Sequence, residues 1–375
     1  MDVGNAGVAS LDSNNDDANT VGGSMKFRSA VLACIFLSAT ASAASGWVNP
    51  SERYTDAYKA YLDAKCPIEK NEIKHFVYLA RDRERLRGHV LLESERFSGA
   101  QIMYAWNQLE PSKDTYDFSI IEDDLDYLKG SNKKLFIQLQ DATFDQRYRA
   151  APDYLLSEEY DGGEVLQRGD NGDDGWTAKR WNRAVQQRFA ALLRALGERF
   201  DGKIEGINLQ ESALGVSSEI DGSFTPDKYV EGLKNNMAAL KKAFARSTTM
   251  QYANFMPGEW LPWEDKGHLR SIYAYGEEIG VGLGAPDLMV QRKGQLNHAI
   301  AMMHENKYTV PLGIAIQDGN YIGQTNSARV VERRPNLVPL LQEFAEDFLR
   351  VDYMFWVDQA PYFEEDVLPC FESTR

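Results

Sequence analysis

The sequence predicts a single (β/α)8 barrel, and three observations lead to that fold class. From about residue 74, eight short apolar runs alternate with longer amphipathic stretches. The runs are almost continuously apolar, as expected for parallel strands that are covered on both faces. Polar side chains follow most of the runs directly, and barrels of this class carry their chemistry at the carboxyl ends of the strands. The length of 375 residues suits one such domain.

The predicted elements follow one another in the order that a barrel requires. The helices are indicated by apolar side chains at helical spacing and by start signals, such as the capping box at 119–122 and the Thr225-Pro226 pair. The predicted strands, in chain order, are residues 75–80, 100–106, 134–141, 203–211, 249–255, 281–289, 310–318 and 353–358. An open doubly wound sheet is the alternative, but the glycine-rich turn usual after its first strand is missing. The acidic segment 169–175 is interpreted as a flexible loop.

A secretory signal peptide is predicted near the start of the chain. A short basic segment begins at Met25, an apolar run covers residues 30–37, and residues 41–43 have the A-x-A form of a cleavage site. We therefore expect a dispensable leader with a signal peptide at 1–43 and the barrel at 44–375. The protein is then exported and is either periplasmic or secreted.

The charge of the chain restricts its partners. The net charge of −15 disfavours nucleic acid and anionic membranes as partners. Past the signal peptide, no run reaches the ~18 apolar residues of a membrane span. We therefore expect no nucleic-acid partner and no membrane partner, and the oligomeric state stays open.

Cysteine and histidine usage predicts a disulfide and no metal. Cys66 and Cys370 lie near the two ends of the barrel domain, which a closed barrel brings together, and an exported protein meets an oxidising compartment. We predict a disulfide between them, with two unpaired buried thiols as the alternative. The five histidines form no cluster of the kind a metal-dependent hydrolase needs, so we expect neither a metal nor an organic cofactor.

Carboxylates, amides and aromatic side chains follow the predicted strands and should meet at one end of the barrel. The polar residues singled out are Asp141, Asn208, Gln210, Glu211, Glu259, Asp287, Gln317, Asp318 and Asn320. The aromatic ones are Trp106, Trp260 and Trp356, whose rings could stack on sugar rings. Cleavage of a glycosidic bond needs one proton donor and one further carboxylate. Glu211 is the predicted donor, since burial or a nearby negative charge would raise its pKa.

Two segments resemble the clan A glycoside hydrolases, a group of retaining (β/α)8 enzymes. WNQLEPSKDTYDFS at 106–119 is similar to the second-strand signature of that group, and GINLQESAL at 206–214 is similar to its fourth-strand end. The resemblance implies that Glu211 is the acid/base. Where the group has its nucleophilic Glu after strand seven, this chain has Gln317 and Asp318, so Asp318 is the nearest match.

The predicted function is therefore that of an O-glycosyl hydrolase acting on a poly- or oligosaccharide. Glu259 and Asp287 are the alternative partners of Glu211. We expect Asp141, Asn208, Gln210, Gln317 and Asn320 to orient hydroxyl groups, and the three tryptophans to form sugar platforms. A barrel that binds polysaccharide without cleaving it and a transglycosylase are the alternatives. The sugar, the linkage, the stereochemical outcome and endo or exo action are left open.

Overall fold

The computed structural model describes residues 52, 54–169, 172–317 and 336–372, with the backbone alone at 169 and 172–174. The predicted leader and signal peptide, and the predicted site residues Asp318 and Asn320, lie outside the described residues.

Eight parallel strands close into a barrel, as the sequence predicted. In order around the barrel they are Lys74–Tyr78 (β1), Gly99–Ala105 (β2), Lys134–Gln140 (β3), Gly206–Leu209 (β6), Thr248–Tyr252 (β7), Gly282–Ala285 (β8), Leu312–Ile316 (β9) and Tyr353–Val357 (β10). The first and last strands pair in parallel and close the ring. Each strand begins within three residues of its predicted start, because the apolar runs that fill a barrel wall are continuous. The carboxyl ends of these strands form the rim of the barrel.

Helices surround the barrel, and their ends carry the expected caps. They are Trp106–Leu109 (α1), Ser119–Gly130 (α2), Arg183–Phe200 (α3), Pro226–Ala243 (α4), His268–Ile279 (α5), Lys293–Asn297 (α6), Ala299–Glu305 (α7), Leu337–Glu343 (α8) and Leu368–Phe371 (α9). The Asn182 side chain accepts hydrogen bonds from the first turn of α3, and Thr225 caps α4 ahead of Pro226. Within the described ranges, no helix has both the length and the apolarity that a membrane crossing requires.

The lower part of the barrel interior is filled with aromatic rings. The Phe136 ring of β3 contacts the rings of Phe76, Tyr353 and Phe355 at centroid distances of 5.8, 5.5 and 4.9 Å. Since β3 and β10 are not neighbours in the sheet, the Phe136 contacts with Tyr353 and Phe355 cross the inside of the barrel. Glycine makes room for these rings: a Cβ at Gly206 would lie 2.6 Å from the Phe136 ring. The packed interior is a solid base under the rim.

A β-hairpin that the sequence did not predict follows the third barrel strand. Its strands, Glu164–Gly169 (β4) and Gly172–Ala178 (β5), pair antiparallel. The interpretation of 169–175 as a loop is therefore wrong for the strand residues of that segment. The hairpin packs on the loop that follows β6, where the Arg168 N–H donates a 2.7 Å hydrogen bond to the carbonyl of Gly215. It therefore builds one wall beside the rim.

The two ends of the described chain meet at the side of the barrel opposite the rim. The predicted disulfide is present: Cys66 and Cys370 are joined, with their Cα atoms 4.7 Å apart. The ring of Phe371 lies 4.8 Å from that of His75, which stands at the amino end of β1. The helical segment Phe363–Val367 and the α9 helix that continues it therefore return the chain from the rim to the base.

Candidate active site

Glu211 stands at the rim, two residues past the end of β6, and is partly exposed. The Nδ2 amide of Asn254 donates a 2.6 Å hydrogen bond to its Oε2 atom. Asn254 stands two residues past the end of β7, the neighbouring strand, and is 1% exposed. The predicted proton donor is therefore held from the strand beside its own.

The pKa of Glu211 is raised to about 8; burial is the largest cause and the negative charge of Asp287 adds to it, while the Asn254 hydrogen bond and the Arg180 charge act against the rise. Asp287 is 3% exposed and follows β8 by two residues. The rim thus brings together carboxylates from β6 and β8 that are far apart in the chain. At neutral pH the Glu211 carboxyl is mostly protonated.

A buried ion pair supports the backbone under Glu211. Arg180 donates from Nε and Nη2 to the carboxylate of Asp141, at 2.8 and 2.6 Å. Its Nη1 donates to the backbone carbonyl of Glu211 at 2.7 Å and to the Tyr229 hydroxyl at 2.9 Å. Asp141 was predicted to orient substrate hydroxyls, but both of its carboxylate oxygens accept hydrogen bonds from Arg180. Its contacts give it the role of anchoring Arg180 instead.

The predicted amide residues differ in their access to the rim. Asn208 is completely buried, and its side chain accepts a 2.9 Å hydrogen bond from Gln101 inside the barrel. Alternation along β6 points it into the packed interior, and its contact with substrate stays a prediction. Gln210 is also buried, whereas Gln317, one residue past the end of β9, is partly exposed.

Two of the three predicted tryptophan platforms are not available to a ligand. Trp106 and Trp356 are completely buried. The indole N–H of Trp106 donates to Glu110 and that of Trp356 donates to His75. Both rings therefore have structural partners, and their contact with a sugar stays a prediction that position at a strand end alone had indicated. For Trp356, alternation along β10 would have indicated the outer, helix-covered face, since Phe355 points into the barrel.

Trp260 differs from these, because it is partly exposed. Its ring stacks on Phe255 at a centroid distance of 5.7 Å and an interplanar angle of 8°. Phe255 directly follows Asn254, the residue that binds the Glu211 carboxylate. His298 contacts both rings and accepts a hydrogen bond from the N–H of Leu261, which fixes the pair in place.

The contacts of Glu259 give it a structural role that requires no part in catalysis. Its carboxylate accepts hydrogen bonds from the backbone N–H groups of Lys266, His268 and Leu269 at 2.8–2.9 Å. These groups open α5, and a helix start leaves such donors unpaired within the helix. Glu259 therefore caps α5.

Sequence reasoning missed Asn254 and Arg180. Asn254 was placed inside a predicted strand, although an amide after an apolar run is the same signal that pointed to Gln210. Arg180 lies in an irregular stretch and carried no signal at all. In the part of the chain that the structure describes, no group of three His, Cys, Asp or Glu residues is arranged to hold a metal ion.

Comparison with known proteins identifies the fold. No protein-family model and no curated protein matches the chain. Among solved structures, the catalytic domain of β-amylase from Paenibacillus polymyxa aligns with a TM-score of 0.52 and 9% identity, over 77% of this chain and 93% of that one. Endo-glycoceramidase II from Rhodococcus sp. aligns with a TM-score of 0.49 and 9% identity, over 78% and 74%. At such identity the likeness to the β-amylase is one of fold alone, and the chain has the closed (β/α)8 barrel that its sequence predicted.

Proposed function

We propose that the protein is a glycoside hydrolase in which Glu211 donates a proton to the oxygen of the scissile glycosidic bond. One observation carries the proposal: a partly exposed carboxyl at the rim whose pKa is raised to about 8 by burial and by Asp287. A general acid must hold its proton at working pH and still be acidic enough to release it. A carboxyl with this pKa does both at neutral pH.

The second carboxylate that cleavage needs is assigned to Asp287 in this proposal. Its charge acts on Glu211, and a paired carboxylate can attack the anomeric carbon or activate a water. Asp318 is the candidate from the sequence resemblance and lies outside the described residues. Glu259 is less suited, because its two oxygens already bind the start of α5.

The substrate class is a poly- or oligosaccharide. The partly exposed Phe255–Trp260 stack begins at the residue after Asn254, and aromatic rings suit the C–H faces of sugars. Cleavage is assigned in preference to binding alone, because a binding protein has no need for a carboxyl that is protonated at neutral pH. A transglycosylase would use the same two carboxylates and differ in its acceptor.

We also propose that the protein is exported to the periplasm or secreted. The disulfide between Cys66 and Cys370 supports this, since disulfides persist in oxidising compartments. The signal-peptide pattern at 1–43 supports it independently. Edman sequencing or mass spectrometry of the exported protein should find its first residue near Ala44, and an intact leader would contradict the proposal.

The experiment that tests the activity compares Glu211→Gln with the wild type on a panel of bacterial and plant polysaccharides, with product analysis. We expect kcat to fall by about 10²–10⁴-fold, because the general acid is lost, while polysaccharide binding is retained. Glu219→Gln is the matched control, since Glu219 is an exposed carboxylate on the same loop. Wild-type turnover by Glu211→Gln would reject the mechanism. Binding without any turnover by the wild type would favour the non-catalytic alternative.

A second experiment distinguishes the two partner carboxylates. We expect Asp287→Asn to lower kcat by several orders of magnitude, and Asp318→Asn to have the smaller effect. The opposite ranking would transfer the role to Asp318. Analysis of the anomeric form of the first product then decides between retention and inversion, which the separation of the two carboxyl groups controls.

A further inference from the structure

The Glu211 carboxylate has one hydrogen-bond donor among the residues that the structure describes, and this donor is Asn254. The contact joins Asn254 Nδ2 to Glu211 Oε2 at 2.6 Å. The other contact that holds Glu211 is made by Arg180 to its backbone carbonyl and leaves the carboxylate untouched. The orientation of the Asn254 amide therefore matters for any chemistry at Glu211.

The orientation of that amide is set by the backbone around it. Its Oδ1 atom accepts hydrogen bonds from the N–H of Ala213 at 3.1 Å and from the N–H of Phe255 at 2.9 Å. A backbone N–H can only donate, so the oxygen of the amide must face these two groups and the NH2 must face Glu211. The Asn254 N–H donates to Ser212 Oγ at 3.0 Å, which ties the ends of β6 and β7 together.

We propose that Asn254 is a positioning residue that determines which oxygen of Glu211 carries the acid proton. An amide NH2 has no acceptor to offer, and the carbonyl oxygen is the better acceptor of a protonated carboxyl, so the contact favours Oε2 as the carbonyl oxygen when Glu211 is protonated. The proton then resides on Oε1 and passes from there to the glycosidic oxygen, while the bond between that oxygen and the anomeric carbon breaks. This inference rests on the proposed hydrolase function and adds a direction to the proton transfer.

The same contact acts on the product of the transfer. Once the proton has left, the Asn254 hydrogen bond has a charged acceptor and is stronger than it was with the neutral acid. Asn254 therefore favours release of the proton and opposes the effect of burial and of Asp287 on the pKa of Glu211. Among the described residues, the other charged or titratable groups that act on Glu211 are Arg180, held by Asp141, and the Tyr229 hydroxyl.

Asn254→Asp is the variant that isolates this contact. The new carboxylate can still accept from the N–H groups of Ala213 and Phe255, but it faces Glu211 with an acceptor instead of a donor. We expect the pKa of Glu211 to rise by about one unit or more, a tenfold or larger change in its proton affinity. We also expect kcat to fall by about 10–100-fold with a smaller change in KM. Ser212→Ala is the matched control, since it weakens the same backbone tie and leaves the donor to Glu211 in place.

The readout is a carbon-detected NMR titration of the Glu211 carboxyl, assigned with Glu211→Gln, together with the pH profile of kcat/KM. An unchanged Glu211 pKa in Asn254→Asp, or an equal rise in Ser212→Ala, would overturn the inference. If Asn254→Asp does not fold, the wild-type protein still tests the inference. The chemical shift of the Asn254 side-chain amide nitrogen must then change with pH at the same pKa as the Glu211 carboxyl. A chemical shift that does not follow this titration refutes the contact. These titrations need no substrate. Failure of the hydrolase proposal would therefore be recognised separately, because the wild type would then show no turnover.

Discussion

Replacing Arg180 with methionine should destabilise the protein far more than the loss of a surface charge. Arg180 makes four hydrogen bonds, of which two go to Asp141 and one each to Tyr229 and the Glu211 carbonyl. Methionine keeps most of the apolar stem and removes all four. Asp141, at 3% exposure, would then be a buried charge without its partner. Breaking a buried pair in this way costs about 3–5 kcal/mol in unfolding free energy.

Urea unfolding followed by fluorescence measures this cost. Arg199→Met is the control, because Arg199 pairs with Glu122 at the surface, where such pairs contribute about 0–1 kcal/mol. The double variant Arg180→Met/Asp141→Asn removes both charges and should be less destabilised than the sum of the two single variants by at least about 1 kcal/mol. If Arg180→Met unfolded at the urea concentration of the control, or if the two single effects simply added, the buried pair would not anchor the rim as described.

Three further outcomes are expected. Replacing Cys66 and Cys370 with serine opens a covalent loop with a sequence separation of 304. The chain-entropy model gives such a disulfide a stabilisation of about 5–6 kcal/mol, and measured disulfides contribute about 2–4 kcal/mol. The variant should therefore melt well below the wild type, and the difference in melting temperature should vanish in reductant. Because the folded-state pKa of Glu211 is raised to about 8, the stability from its protonated form is fully present below the unfolded value of about 4 and is lost as the pH rises through 8. Glu211→Gln should therefore gain stability over the wild type between pH 5 and 9, and a gap that does not change with pH would contradict the raised pKa. Glu259→Ala should lower the unfolding free energy by about 1–3 kcal/mol through the lost cap of α5 and change kcat by less than about threefold, so a large loss of turnover would return Glu259 to the catalytic candidates.

The barrel was predictable because its strands obey a local rule. A strand covered on both faces is a continuous apolar run, and eight such runs were visible. The hairpin that follows β3 was not predictable, because its second strand is rich in glycine and aspartate, a composition typical of turns. Its position depends on a contact between Arg168 and Gly215, 47 residues apart, which no local pattern contains.

The site was predictable only in part, for a similar reason. Carboxylates after parallel strands must gather at one rim, which was enough to choose Glu211 as the predicted donor and to name Asp287 among its alternative partners. What each side chain does there depends on partners from other strands. Asp141 and Glu259 were equally good candidates until their donors were known, and Arg180 became important only through residues that lie 31 to 49 positions away.

The return of the last helix to the base of the barrel has a practical consequence for anyone who attaches this protein to a support. Phe371 lies against the amino end of β1, so a tether joined at the end of α9 would leave from the side of the molecule that faces away from Glu211. Beads or sensor chips coated in this manner would turn the rim towards long polymers in solution. The disulfide to Cys66, one residue before Phe371, would pass part of the pulling force to the segment that precedes β1.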